Sequence, residues 1–114
     1  MTTIWHNPRC SKSRQTLALI EDRNPVIRRY LDDGPSADEI TQVLRALDLP
    51  AKDIIRKGDP LFKDLSLAGA DEAQLIAAMA AHPILIERPI VIKGDKACLG
   101  RPPQDVLTLF TDEN

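Results

Sequence analysis

The sequence predicts an α/β fold: a mixed four-stranded sheet flanked by helices, with a helical insertion between strands two and three. Three observations carry that expectation. A β-rich run, a helical segment and a second β-rich run follow one another at the N-terminus, which calls for a parallel strand pair joined by a crossover. Helix-start signals and helical periodicity fill the middle of the chain. Near the C-terminus, two short apolar runs flank Gly94-Asp95, the mark of an antiparallel hairpin.

The elements follow in order. Ile4 and Trp5 lie in a short strand ended by His6-Asn7-Pro8. Ser11 to Asp22 reads as a helix with Leu17 and Ile20 on its apolar side, broken by Asn24-Pro25. Val26 to Leu31 is the second β-rich run, closed by Asp33-Gly34-Pro35. Ser36 with Glu39 forms a capping box, and Ile40, Val43, Leu44 and Leu47 recur on one helical face until Pro50 stops the helix. Residues 51–70 read as short helical turns joined by Gly58-Asp59-Pro60. Asp71 with Gln74 starts a further helix with Leu75, Ile76 and Met79 on its buried side. Pro89 to Ile92 and Lys96 to Leu99 are the hairpin strands. Pro102-Pro103 opens a last helix with Val106, Leu107 and Phe110 inward. The thioredoxin fold is the familiar example of this combination.

Composition narrows the function classes. A chain of 114 residues makes one domain, 1–114, with 43% hydrophobic and 28% charged residues, a balance that excludes disorder. No apolar run approaches the ~20 residues that span a membrane, and the N-terminus lacks the basic and apolar segments of a signal peptide, so the cytoplasm is the expected location. The net charge of −2 argues against nucleic acid as a partner. The two cysteines, Cys10 and Cys98, make no disulfide framework, and with two distant histidines they match no metal-binding spacing.

Cys10 carries the chemistry. It sits between a strand end and a helix start, where free N–H groups and the helix dipole favour thiolate over thiol. Arg9, Lys12 and Arg14 surround it with positive charge in an otherwise slightly acidic chain. Ser13 stands where the second cysteine of a Cys-x-x-Cys pair would be, which excludes a local dithiol cycle. Thr16 stands where the phosphatase-type anion loop needs its arginine, so that loop is excluded too.

At this point the chain resembles the glutaredoxin-linked arsenate reductase family, a thioredoxin-fold group that also includes the Spx-type regulators. The resemblance rests on His6-Asn7-Pro8-x-Cys10-x-x-Ser13-Arg14, Ile54-Ile55-Arg56-Lys57, the block from His82 to Val91, and Arg101-Pro102. It implies a nucleophilic Cys10 and three arginines, Arg56, Arg88 and Arg101, holding a substrate oxyanion. Guanidinium forks match tetrahedral oxyanions and stabilise a nearby thiolate. His6, Ser13, Arg14 and Pro89 are the supporting residues, and the resemblance implies a cis peptide at Arg88–Pro89. It further implies arsenate as substrate, glutathione as co-substrate, glutaredoxin as partner, and no bound cofactor or metal. A monomer is expected. The best-known members run longer at the C-terminus and carry small uncharged residues where this chain has Arg9-Cys10-Ser11-Lys12, a pattern that resembles a shorter subgroup.

Two readings stay open for His6: an imidazolium that lowers the Cys10 pKa, or a strand-end histidine bonded to backbone. His82 is expected to favour the end of a helix dipole, Cys98 to be a packed thiol, and Arg28 and Arg29 to be solvated. Trp5, Tyr30, Phe62 and Phe110 read as packing. The alternative functions are an Spx-like regulator contacting RNA polymerase, which usually senses oxidation through the Cys-x-x-Cys pair absent here, and a glutaredoxin-like thiol reductase, for which three arginines would be superfluous.

Overall fold

The structure, a computed structural model, describes residues 1–111; the last three residues of the expected 1–114 domain lie outside the described residues. The chain forms two compact units, one from residues 1–33 together with the segment from Arg88 onward, the other from residues 34–87.

The first unit holds the sheet. Strands β1 (Thr2–Trp5), β2 (Val26–Arg28), β3 (Ile90–Lys93) and β4 (Lys96–Leu99) lie in the order β2-β1-β3-β4. β1 runs parallel to β2 and antiparallel to β3, and β3 runs antiparallel to β4. Ile4 stands opposite Ile27 on one side and Val91 on the other. Helix α1 (Ser11–Ile20) connects the parallel pair. Ile4, Ile20, Val91, Val106 and Phe110 form the buried cluster, with Leu17, Cys98 and Leu109 packed against it; each fully buried side chain of this kind contributes about 1.5–3 kcal/mol. This is the thioredoxin-like arrangement expected from the element order. Arg88–Pro89 is cis, as expected, and so is Arg101–Pro102.

Several local expectations change. The second strand spans only Val26–Arg28 because its partner ends at Trp5; the His6 N–H takes the Arg28 carbonyl at 2.8 Å as the last rung. The chain then turns, with the Arg29 carbonyl accepting from the N–H groups of Asp32 and Asp33. Tyr30 stacks on Trp5 with ring centroids 6.3 Å apart. Arg28 is not solvated: its guanidinium lies 5.4 Å from the Trp5 ring centre and donates to the Asp33 carbonyl at 3.2 Å. Arg29 is open to solvent as expected. α1 ends at Ile20, and Glu21–Arg23 tighten into a 3₁₀ turn stopped by Asn24 in the left-handed region. The last helix, Pro103–Phe110, is 3₁₀ throughout. Three residues per turn bring Val106 and Leu109 into line with Pro103 and turn Leu107 outward.

The buried face of α1 is partly polar: Ser13, Thr16 and Ile20 face inward. Thr16 bonds back to the Lys12 carbonyl at 2.8 Å. Gly100 explains the small side chain there. Its N–H takes the Pro89 carbonyl at 2.9 Å, and a Cβ added to it would overlap the Thr16 hydroxyl and stand 2.7 Å from Pro89 Cγ. Gly100→Ala is therefore expected to destabilise the fold by about 1–3 kcal/mol, read as a lower urea midpoint. Gly58→Ala, with nothing within 4 Å of the new carbon, should leave the midpoint unchanged or raise it.

The second unit is helical. α2 (Ala37–Leu47) starts at the Ser36–Glu39 capping box and ends at Asp48, whose left-handed backbone stops the helix before Pro50 is reached. α3 spans Pro60–Asp64 and α4 Glu72–Ala81, the latter opened by the Asp71–Gln74 capping box. Both boxes satisfy two backbone N–H groups that a helix start leaves unpaired. The Glu72 carboxylate takes the Ala51 N–H at 3.0 and 3.2 Å, holding the turn after α2 to the start of α4. An isolated antiparallel bridge joins Ile55 to Ile86, and around it Ile54, Ile55, Leu85 and Ile86 are buried.

Candidate active site

Cys10 is the N-cap residue of α1, with extended backbone and no side-chain cap of its own. Its N–H bonds to the Asn7 carbonyl and its carbonyl accepts the first helical bond from Arg14, both at 3.0 Å. The sulfur faces the N–H groups of Ser13 and Lys12 and the Arg88 guanidinium. Burial, the largest single influence, pushes the thiol pKa up, but those N–H groups and Arg88 outweigh it and hold the pKa below the ordinary cysteine value. Helix-start donors and a cation thus act together on one sulfur.

The loop before Cys10 is pinned from several directions. Ser13 is fully buried, and its hydroxyl accepts from the Asn7 N–H at 3.0 Å and lies 2.6 Å from His6 Nδ1. Asn7 Oδ1 takes the Arg9 N–H at 3.0 Å, and Arg14 donates to the Pro8 carbonyl at 2.9 Å. Arg14 therefore braces the loop, while Arg9 and Lys12 are exposed.

His6 resolves between its two readings. Burial first, then Arg29 and Arg14, lower its pKa below the ordinary value, which leaves the imidazole neutral near pH 7. The Ser13 hydroxyl, already accepting from Asn7, has its own proton to give to Nδ1. An imidazolium assisting Cys10 does not fit this environment, and the ring bonds to Ser13 rather than to backbone. Cys98 behaves as the packed thiol expected: burial first, then Asp105, raise its pKa, opposed by a bond from Thr108.

Arg88 stands at the sulfur, and Arg101 donates to the Arg88 carbonyl at 3.1 Å, beside buried Pro89. Both belong to the unit that carries Cys10. Arg56 belongs to the other unit, where Nη1 donates to the Ile84 carbonyl at 3.2 Å and lies 3.8 Å from Asp59 Oδ2. His82 is the C-cap of α4. Asn7 and Pro8, which the sequence offers as a strand end and as part of the motif around Cys10, also have structural work as hydrogen-bond partners of Ser13, Arg9 and Arg14. The role of Asp59 was not read from the sequence, although an aspartate before proline at a helix start was a usable signal. Among the described residues no group of three or more His, Cys, Asp or Glu side chains is placed to hold a metal, and no helix is long and apolar enough to cross a membrane.

The sequence and the fold have close relatives. An arsenate reductase of Haemophilus influenzae is 45% identical over 112 residues, covering 94% of this chain and 97% of that protein. An arsenate reductase of Neisseria meningitidis serogroup A is 42% identical, covering 90% of this chain and 92% of that protein. The solved structure of an arsenate reductase from Vibrio cholerae superposes with a TM-score of 0.90 at 43% identity, covering 94% of this chain and 95% of that one. The sequence profile of the ArsC family matches residues 5–109. With the cysteine at a helix start, an arginine at its sulfur and the fold expected of that group, the chain belongs to the ArsC family.

Proposed function

We propose that residues 1–114 act as one domain, a monomeric cytoplasmic arsenate reductase of the glutathione- and glutaredoxin-dependent type. The observation that carries this reading is the Cys10 sulfur set against the Ser13 and Lys12 N–H groups and Arg88, which favours the thiolate. The arsenate reductases to which the chain is similar support the choice of substrate.

The Cys10 thiolate attacks arsenic and displaces one oxygen as water, leaving a thioester of arsenate. Arg56, Arg88 and Arg101 hold the remaining oxygens and spread their charge. Reduction of As(V) to As(III) takes two electrons, and with Ser13 in place of a second thiol they come from two different molecules. Cys10 supplies one sulfur and glutathione the other, so release of arsenite leaves a mixed disulfide between them. Glutaredoxin then takes the glutathionyl group by thiol–disulfide exchange and restores the thiol. No bound cofactor takes part.

The test is a coupled assay with purified protein, glutathione, glutaredoxin, glutathione reductase and NADPH. NADPH consumption should depend on arsenate, on the protein and on glutaredoxin. Consumption that ignores arsenate would move the chain to a general thiol reductase.

A further inference from the structure

The Arg56 guanidinium is tied along one edge, by a hydrogen bond to the Ile84 carbonyl and by an ion pair with Asp59. The two Asp59 oxygens have separate tasks. Oδ1 accepts the Leu61 N–H at 2.9 Å and so caps α3, whereas Oδ2 lies 3.8 Å from Arg56 Nη1. The backbones are joined as well, the Asp59 N–H donating to the Arg56 carbonyl at 3.2 Å. Upstream, the Arg56 N–H takes the Leu85 carbonyl at 2.7 Å, fixing the Cα from which the side chain extends. The side chains of the pair are only 25% and 15% exposed, so solvent screens them less than a surface pair. Nη1 is committed to the Ile84 carbonyl and to Asp59, which leaves the donors of Nε and Nη2 without a hydrogen bond among the described residues.

From this geometry we infer that Asp59 is a positioning residue: it fixes the Arg56 guanidinium through one edge so that the other edge is presented, already ordered, to a tetrahedral oxyanion. The inference rests on the reading of Arg56 as an oxyanion ligand. A free arginine loses rotamer freedom when it grips an anion. One already held by its neighbours loses less, and the difference appears as affinity. Helix capping alone does not require the charge, since asparagine caps as well as aspartate.

Asp59→Asn therefore separates the two tasks, keeping the cap and removing the charge. In ¹⁵N-labelled protein, the Arg56 Nε–H signal, assigned by its loss in Arg56→Lys, should be as rigid as the backbone in the wild type and mobile in Asp59→Asn. In the coupled assay the same variant should raise KM for arsenate about three- to tenfold, with kcat within about twofold. Asp59→Ala should add a lower thermal midpoint through the lost cap. An Arg56 signal equally rigid in Asp59→Asn overturns the inference. So does a mobile one with unchanged KM, or a fall in KM, the result if Asp59 only competed with the anion. Should the wild type reduce no arsenate, it is the functional reading that fails. Titration of the Arg56 signal with sulfate then replaces KM, and equal sulfate affinity in wild type and Asp59→Asn overturns the positioning role.

Discussion

Cys10→Ser should abolish arsenate-dependent turnover, while Cys98→Ser should keep nearly all of it. A serine hydroxyl in the same place is neither ionised near neutral pH nor able to give up electrons, so both attack and reduction stop. The two thiols are distinguishable before any turnover is measured. Donors and Arg88 hold the Cys10 pKa down, whereas burial and Asp105 hold that of Cys98 up. Iodoacetamide at neutral pH should therefore label Cys10 first, with Cys98 following only as pH rises. Equal labelling, or activity lost in the Cys98 variant alone, would place the chemistry at the wrong sulfur.

Arg88→Ala is expected to have the next largest effect, and on two quantities at once. A charge-assisted hydrogen bond contributes roughly 1.5–3 kcal/mol, so its loss should lower kcat/KM for arsenate by about tenfold or more. The same guanidinium opposes the burial that pushes the Cys10 thiol up. Removing it should raise the thiol pKa and move the alkylation profile toward higher pH. Arg28 is unsuitable as a control because it lies over Trp5. Arg45, exposed on α2, should change neither quantity when replaced by alanine. Normal kinetics and normal titration in Arg88→Ala would overturn the proposed role of Arg88 as an oxyanion ligand.

What could be read from the sequence was what local chemistry decides. The Ser36–Glu39 and Asp71–Gln74 boxes specify their helices because both partners lie within one turn. Gly94 at φ 61 suits a two-residue turn whatever surrounds it. The features that escaped depend on distant partners. β2 is short because β1 ends, and the final helix winds tightly over the sheet's core cluster. At the site, the position of Cys10 was legible from the strand-to-helix junction. The state of His6 was not, because burial, Arg29 and Arg14 decide it. Arg14 counted in the sequence as a cation near the thiol, yet its guanidinium reaches back to Pro8.

The central pairing of the sheet also has a consequence for the order in which the protein acquires its chemistry. Trp5 lies opposite Ile90, so the first strand made by the ribosome waits for nearly the whole chain before its antiparallel partner exists. The intervening segment contains self-capped helices that need only near neighbours in sequence to form, whereas the closure of β1 onto β3 bears the entropy of a long loop. Arg88 arrives at the Cys10 sulfur only with that closure. A nascent chain that has not reached Arg88 therefore has only the helix-start N–H groups to favour the thiolate, and the guanidinium's share of the activation arrives with the finished fold.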